Sequence, residues 1–208
     1  MPSDWDYFMN NFFGDPYMMW HDGIDPTAAA RLEGEEREKA ESMLIEAVKE
    51  GNHYAARGLG EMRSKRAAPV LKQLLTHEFG LLQIEAAASL NQIENTTKYV
   101  EIIADILRSD AHWSTRIVAA MRLKRYKTPE TIDALFEGML DHDYLVRNHS
   151  ATSLLHIHGF PDSISSHMEI FKLLIHDFDN SSEEALKESM EKYRESVRLL
   201  KEFMKVDT

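Results

Sequence analysis

Small and large apolar residues recur along the chain at a regular step. Four nine-residue segments align without gaps: YAARGLGEM (54–62), EAAASLNQI (85–93), VAAMRLKRY (118–126) and HSATSLLHI (149–157). Each has two small residues at its second and third positions, a leucine at its sixth and a large apolar residue at its ninth. These offsets place the apolar side chains on one helical face, where the small residues permit close approach of another helix.

Other amphipathic stretches lie between these segments, so the chain is predicted to form successive helix pairs without strands. The pairs are expected at 35–50 with 52–63, 66–76 with 80–94, 96–109 with 113–126, 129–141 with 144–158, and 163–178 with 182–205. The predicted fold is an all-α, right-handed α-solenoid of about five pairs. Because open arrays need covered ends, we expect an aromatic N-terminal cap and a long C-terminal capping helix. We expect one continuous domain: an acidic aromatic cap or arm (1–34), a repeat array (35–180) and a C-terminal capping helix (181–208).

Two stretches resemble a known repeat family. AARGLGEMRSKRAAPVLKQLL (55–75) and LDHDYLVRNHSATSLLHIHG (140–159) resemble the short HEAT-like repeat of phycobilin-lyase-related HEAT proteins. The resemblance covers roughly residues 35–180 and implies a HEAT-like solenoid. Small acidic proteins with this style of repeat occur as predicted immunity proteins of bacterial toxin systems. The resemblance therefore implies a protein that binds and occludes a cognate toxin.

Composition narrows the expected location and partners. The chain has no cysteine and no run of 18 apolar residues, and its first residues lack the positive charge of a secretory signal, so we expect a cytoplasmic protein that spans no membrane. Residues 1–46 hold 11 acids and three bases, a balance of −8, against a total of −11. This acidity disfavours nucleic acid as a partner and favours a basic protein.

The N-terminal segment WDYFMNNFFGDPYMMW (5–20) contains seven aromatic residues. We expect it to cover the first helix pair, to contact a partner, or to divide between both roles. Membrane insertion is a third alternative, which its acidic residues oppose. The candidate partner-binding residues of this segment are Trp5, Phe8, Asp15, Tyr17 and Trp20.

A second set of candidates lies on the inner helix of each pair. Residues that point away from the small-residue stripe are expected to be exposed on a concave face, which also includes Ser89 and Ser153. Their mixed charge suits a specific protein surface better than a uniform polyanion. The candidate partner-binding residues are Tyr54, Glu61, Glu85, Gln92, Trp113, Arg122, Arg125, His149 and His156.

The sequence shows no catalytic or metal-binding motif. It lacks GxSxG, phosphate-cradling and dinucleotide motifs, and its histidines lack the three- or four-residue spacing of helical metal pairs. Asn52, Gln83, Arg116 and Arg147 occupy equivalent positions, which predicts a structural ladder between repeats. We therefore expect a non-enzymatic protein without a cofactor or metal. A HEAT-like enzyme, either DNA glycosylase-like or lyase-like, and a general adaptor remain as alternatives.

Overall fold

The computed structural model describes residues 3–205. The chain divides into two compact units, unit 1 (Met1–Tyr99) and unit 2 (Val100–Thr208). Both units consist of helices and turns, and no strand occurs within the described range. The predicted all-α fold is therefore confirmed. The handedness of the array and its limits at residues 34 and 180 stay predictions.

Unit 1 contains six α-helices and three short 3-10 helices between residues 3 and 99. The α-helices are α1 (Asp4–Phe13), α2 (Pro16–His21), α3 (Gly34–Lys49), α4 (His53–Glu61), α5 (Ala68–Gln73) and α6 (Gly80–Glu94). The 3-10 helices are Pro26–Arg31, Lys65–Ala67 and Leu74–Thr76. Two of these flank α5, so the predicted helix at 66–76 is shorter and less regular than its pattern indicated.

The described part of unit 2 contains six α-helices and one 3-10 helix, Ile164–Ser166. The α-helices are α7 (Val100–Arg108), α8 (Trp113–Leu123), α9 (Pro129–Gly138), α10 (Tyr144–Ile157), α11 (Met168–Leu174) and α12 (Glu183–Met204). The prediction of a helix at 163–178 was wrong in length. Residues 161–166 read PDSISS, and Pro, Asp and Ser favour turns, so the helix begins only at Met168.

The inner helices of neighbouring pairs pack closely within each unit. In unit 1, α4 packs on α6, and the Ser89 hydroxyl donates a hydrogen bond of 2.8 Å to the Ala56 carbonyl. In unit 2, α8 packs on α10, and the Ser153 hydroxyl donates one of 3.0 Å to the Ala120 carbonyl. Because a serine side chain is short, each bond requires the two helix backbones to approach at small residues. The small positions of the repeat supply that space.

The predicted ladder between repeats is confirmed at Arg116 and Arg147. The Gln83 amide instead donates a hydrogen bond of 2.6 Å to the Leu75 carbonyl, which belongs to the same predicted helix pair. The Arg116 guanidinium forms a bidentate ion pair of 2.8 and 2.9 Å with Asp141. Asn52 serves differently, since its side-chain oxygen caps α4 by accepting from the Ala55 amide.

Arg147 is the most extensively bonded member of the ladder and is fully buried. Its guanidinium donates to four backbone carbonyls and lies 3.9 Å from the centre of the Tyr193 ring on α12. Burial lowers the pKa of this guanidinium, which Tyr193 and nearby carboxylates counteract. A planar group with five donors satisfies several turn carbonyls at once. The acceptors are Asp141 (2.7 Å), His142 (3.0 Å), Leu174 (2.8 Å) and His176 (2.8 Å).

Replacement of Arg147 by Met is expected to lower the free energy of unfolding by about 3 kcal/mol or more, since several charged hydrogen bonds are lost together. Arg147→Lys should recover only part of this loss because an ammonium cannot reach acceptors in so many directions. Arg198→Met is the control, because Arg198 lies half exposed on α12 and should cost less than about 1 kcal/mol. Urea unfolding of the three variants measures this. Equal losses at both arginines would contradict the buried role.

A second prediction concerns the contact between α9 and α10. A Cβ atom added at Gly138 would lie 2.4 Å from the Ser150 Oγ and 3.2 Å from the Ser150 Cβ. That hydroxyl is buried and has no hydrogen-bond partner among the described residues. Gly138→Ala should therefore destabilise the protein by about 1–3 kcal/mol, although alanine normally favours a helix.

Ser150→Ala provides the matched test of this contact. Alone it should be neutral or stabilising, because it removes an unsatisfied buried hydroxyl. In the double variant Gly138→Ala/Ser150→Ala, a substantial part of the Gly138→Ala loss should be recovered. Simple additivity of the two free energies in urea unfolding would show that the two sites do not touch.

Candidate protein-binding surfaces

The N-terminal segment divides into a buried helix and an exposed one. On α1, Phe8 and Phe12 are buried, and their rings lie 5.3 Å apart. A Cβ at Gly58 would come within 2.7 Å of the Phe12 ring, so α1 packs directly on α4. Phe8 is 0% exposed. Its prediction as a partner contact was therefore wrong, because its ring belongs to the core.

Helix α2 carries the exposed aromatic residues. The Asp15 carboxylate accepts from the Tyr17 and Met18 amides at 2.8 and 3.2 Å, and Pro16 occupies the first turn. Met19 points inward, whereas Tyr17, Met18 and Trp20 are 63%, 50% and 73% exposed. We call Tyr17, Met18 and Trp20 the α2 surface. Clustered exposed apolar side chains of this size are characteristic of interaction sites.

A pocket of about 350 Å³ lies beside α2. One wall comes from the junction of α1 and α2, including Phe13, Pro16 and Met19, and the other from the start of α4, Asn52 to Tyr54. The His53 ring is 6.1 Å from the ring of Phe79, which is itself exposed. Apolar surface thus extends from the pocket toward the start of α6. Tyr54 is the inner-helix candidate that lines this pocket.

Several N-terminal acids have structural partners. Asp6 completes a capping box with Ser3 at the start of α1. Asp25 caps the 3-10 helix Pro26–Arg31, accepts from the Tyr7 hydroxyl at 3.1 Å and pairs with Arg31 at 2.6 Å. The hydrogen bond from the Thr27 side chain is the main cause that lowers the pKa of Asp25. Part of the N-terminal acidity therefore stabilises local structure.

Trp5 occupies an intermediate position on α1. Its side chain is half-buried, with its ring 5.5 Å from Phe8 and the Lys39 ammonium 4.6 Å from its centre. The tryptophan therefore contributes to the packing of α1 and retains an accessible edge. Asp15 is exposed as expected, although it also caps α2.

The inner-helix candidates do not share one environment. Glu85 is 4% exposed, so its prediction as a surface contact was wrong. Ser89 and Ser153 are also buried, because their hydroxyls bond to backbone carbonyls of the neighbouring inner helix. Polar side chains on this face point toward the neighbouring helix as well as toward solvent. Half-buried candidates are Tyr54, Glu61, Gln92, Arg122 and His149, and exposed ones are Trp113, Arg125 and His156.

Two of the predicted histidines lie near the Lys124–Asp162 pair in unit 2. The Lys124 ammonium lies 3.8 Å from the Asp162 carboxylate, which also contacts His156 Nδ1 at 3.0 Å. Burial lowers the pKa of His149, and the charge of Lys124 adds to this effect. The contact with Asp162 accounts for His156 without a ligand. Over residues 3–205, no group of three or more potential metal-binding side chains was found.

Unit 2 contains a cleft that the sequence analysis missed. Its volume is about 670 Å³, and Leu107, Leu140, Phe178, Leu186 and Met190 contribute apolar lining. Arg108 lies at this cleft and pairs with Glu137 at 2.6 Å and Glu101 at 3.1 Å. Phe178 and Leu186 lie outside the aligned repeat segments, so the repeat pattern gave no signal for them.

Comparisons with protein families agree with this architecture. Residues 100–172 match the model described as HEAT repeats, and residues 52–77 match the PBS lyase HEAT-like repeat. These matches support a place in the HEAT-like repeat family. HEAT repeats suggest a scaffold for protein interaction. No curated protein and no solved structure matched the chain.

The α2 surface lies outside both matched HEAT-like segments. The segment 52–77 contains Tyr54 and Glu61, and the segment 100–172 contains the candidates of unit 2 from Trp113 to His156.

Among the helices described between residues 3 and 205, none has both the length and the apolarity needed to cross a membrane.

Substitutions on the two N-terminal helices should separate packing from surface exposure. Phe8→Ala is expected to lower the free energy of unfolding by about 3–5 kcal/mol, because it empties a filled core position. Tyr17→Ser and Trp20→Ser should each change it by less than about 0.5 kcal/mol, because these side chains are exposed. Chemical denaturation of the full chain measures all three. A loss at Trp20 as large as that at Phe8 would show that α2 is part of the core.

Proposed function

We propose that this protein is a non-enzymatic binding protein, specifically an immunity protein that binds and occludes a basic bacterial toxin in the cytoplasm. The observation that carries the proposal is the α2 surface. It presents Tyr17, Met18 and Trp20 to solvent on a short helix, ahead of HEAT-like repeats that suggest a protein-interaction scaffold.

The chemistry of the α2 surface supports a protein partner. Aromatic residues and methionine are enriched in the energetic centres of protein interfaces because they bury a large area with few rotatable bonds. Tyr17 and Trp20 already lie with ring centres 6.2 Å apart, and Tyr17 stacks on His21 at 5.7 Å. Because these rings already contact one another, covering them in an interface costs little side-chain entropy.

Charge supports a basic partner. The chain carries a net charge of −11, of which −8 falls within residues 1–46. Complementary charge raises association rates, and inhibition of a toxin requires rapid capture. Toxins that act on nucleic acids need basic surfaces to bind phosphates. Occlusion of such a surface would block the toxin without any chemical step by the HEAT-like protein.

The proposal predicts self-intoxication in the bacterium that encodes the protein. A strain that lacks this gene should be killed in contact with its parent, because the parent still delivers the toxin. A plasmid copy of the wild-type gene should restore survival. A copy with Tyr17→Ser/Trp20→Ser should give at least about tenfold fewer surviving recipient cells than the wild-type copy, since two interface anchors are missing. Viable counts of the recipient in co-culture measure the effect.

Met121→Ser is the matched control in the same co-culture. Met121 is exposed on α8 in unit 2, so its loss removes apolar surface elsewhere without affecting the core. Western blotting should show equal amounts of all variants. Normal survival of the deletion strain beside its parent would refute the immunity role.

A further inference from the structure

We propose that the pocket beside α2 holds a large apolar side chain from a cationic amphipathic segment of the partner protein. The inference rests on the proposed protein-binding function and specifies the chemistry of what is bound. It assigns Met19, His53 and Tyr54 to an anchor pocket and the α2 surface to the contact area beside it.

The lining of the pocket favours an apolar group. Phe12 lies at its base with 2% of its surface exposed, and Phe13, Pro16 and Met19 complete one side. The Asn52 side-chain oxygen is already used to cap α4 through the Ala55 amide. A cavity of about 350 Å³ is within the size range of small-ligand pockets and holds one large side chain.

The apolar area around the pocket is too extended for a single side chain. Helix α2, which carries the α2 surface with Trp20 73% exposed, forms one edge of the pocket through Pro16 and Met19. On the other side the His53 ring lies 4.1 Å from Tyr54 and 6.1 Å from Phe79. Residues spaced three or four apart on an amphipathic helix would reach both flanks while one of them enters the pocket. The occupant is therefore a segment of a chain.

Charge around the pocket selects a cationic segment. The three stretches that form the site are residues 13–22, 50–54 and 77–79, and none contains lysine or arginine. The exposed acids within them are Asp15, Asp22, Glu50 and Glu78. The neighbouring base Lys49 pairs with Glu46 at 2.7 Å. The same acids would repel an anionic membrane surface, which disfavours a lipid as the occupant.

A synthetic peptide tests the pocket without knowledge of the partner. The probe is a labelled helical peptide of about 14 residues with Leu and one Phe on one face and Lys on the other. One control has the same composition in scrambled order, and the other has Glu in place of Lys. Fluorescence anisotropy with the full chain should give a Kd at least about tenfold lower for the probe than for either control.

Pocket variants locate the binding. His53→Trp places a bulky ring in the pocket and should weaken probe binding at least about tenfold, whereas Met121→Ser, at an exposed residue of unit 2, should leave it unchanged. Methyl-labelled methionine NMR supplies a readout that does not depend on variants. The Met18 and Met19 signals should shift on titration, and those of Met121 and Met168 should not.

Each contrary result has a defined meaning. Equal binding of the scrambled peptide, or shifts confined to Met121 or Met168, would overturn the pocket. Vesicles of neutral or anionic lipid that shift Met18 and Met19 when the peptide does not would identify a membrane instead. If the peptide fails while the deletion strain is still killed by its parent, this inference falls and the immunity proposal stands. If the peptide shifts the Met19 signal but the deletion strain survives beside its parent, the pocket inference stands and the immunity proposal falls.

Discussion

Close approach of neighbouring inner helices is the constraint on which both units depend. The bonds from Ser89 to the Ala56 carbonyl and from Ser153 to the Ala120 carbonyl each join residues 33 positions apart, one repeat along the chain. Two backbones can come within the reach of a serine only where alanine and glycine line the contact. Because the first helix pair has no preceding pair to pack on, the small-residue side of α4 would remain uncovered. Helix α1 covers this side by placing Phe12 against Gly58.

This constraint explains which parts of the fold could be predicted. The small residues and leucines recur at helical spacing, so helix pairs followed from the sequence. The orientation of polar residues did not follow. Glu85, Ser89 and Ser153 are polar, which normally indicates exposure. The inner helices are so close that Ser89 and Ser153 face a neighbouring helix, whose carbonyl accepts a hydrogen bond from each hydroxyl, and the sequence does not reveal these acceptors.

The candidate site shows a different limit of sequence reasoning. Phe8 and Phe12 are four residues apart, and Tyr17 and Trp20 are three apart, so both pairs have helical spacing. Their burial differs because the chain breaks between them, where Asp15 caps a new helix and Pro16 opens it. A break of this kind removes the phase relation between two helices. Periodicity within each helix therefore could not show which aromatic pair would face the core.

The N-terminal acids can be sorted by the same helix physics. Asp6, Asp15 and Asp25 lie at helix starts, where a carboxylate accepts free amides and complements the helix dipole, so folding accounts for them. Asp22 lies at the C-terminal end of α2, where a carboxylate opposes the dipole, and its carboxylate lies 2.7 Å from Nδ1 of the exposed His21. Helix stability gives no reason for an acid there. Its position two residues after Trp20 instead fits the attraction of a cationic partner to the α2 surface.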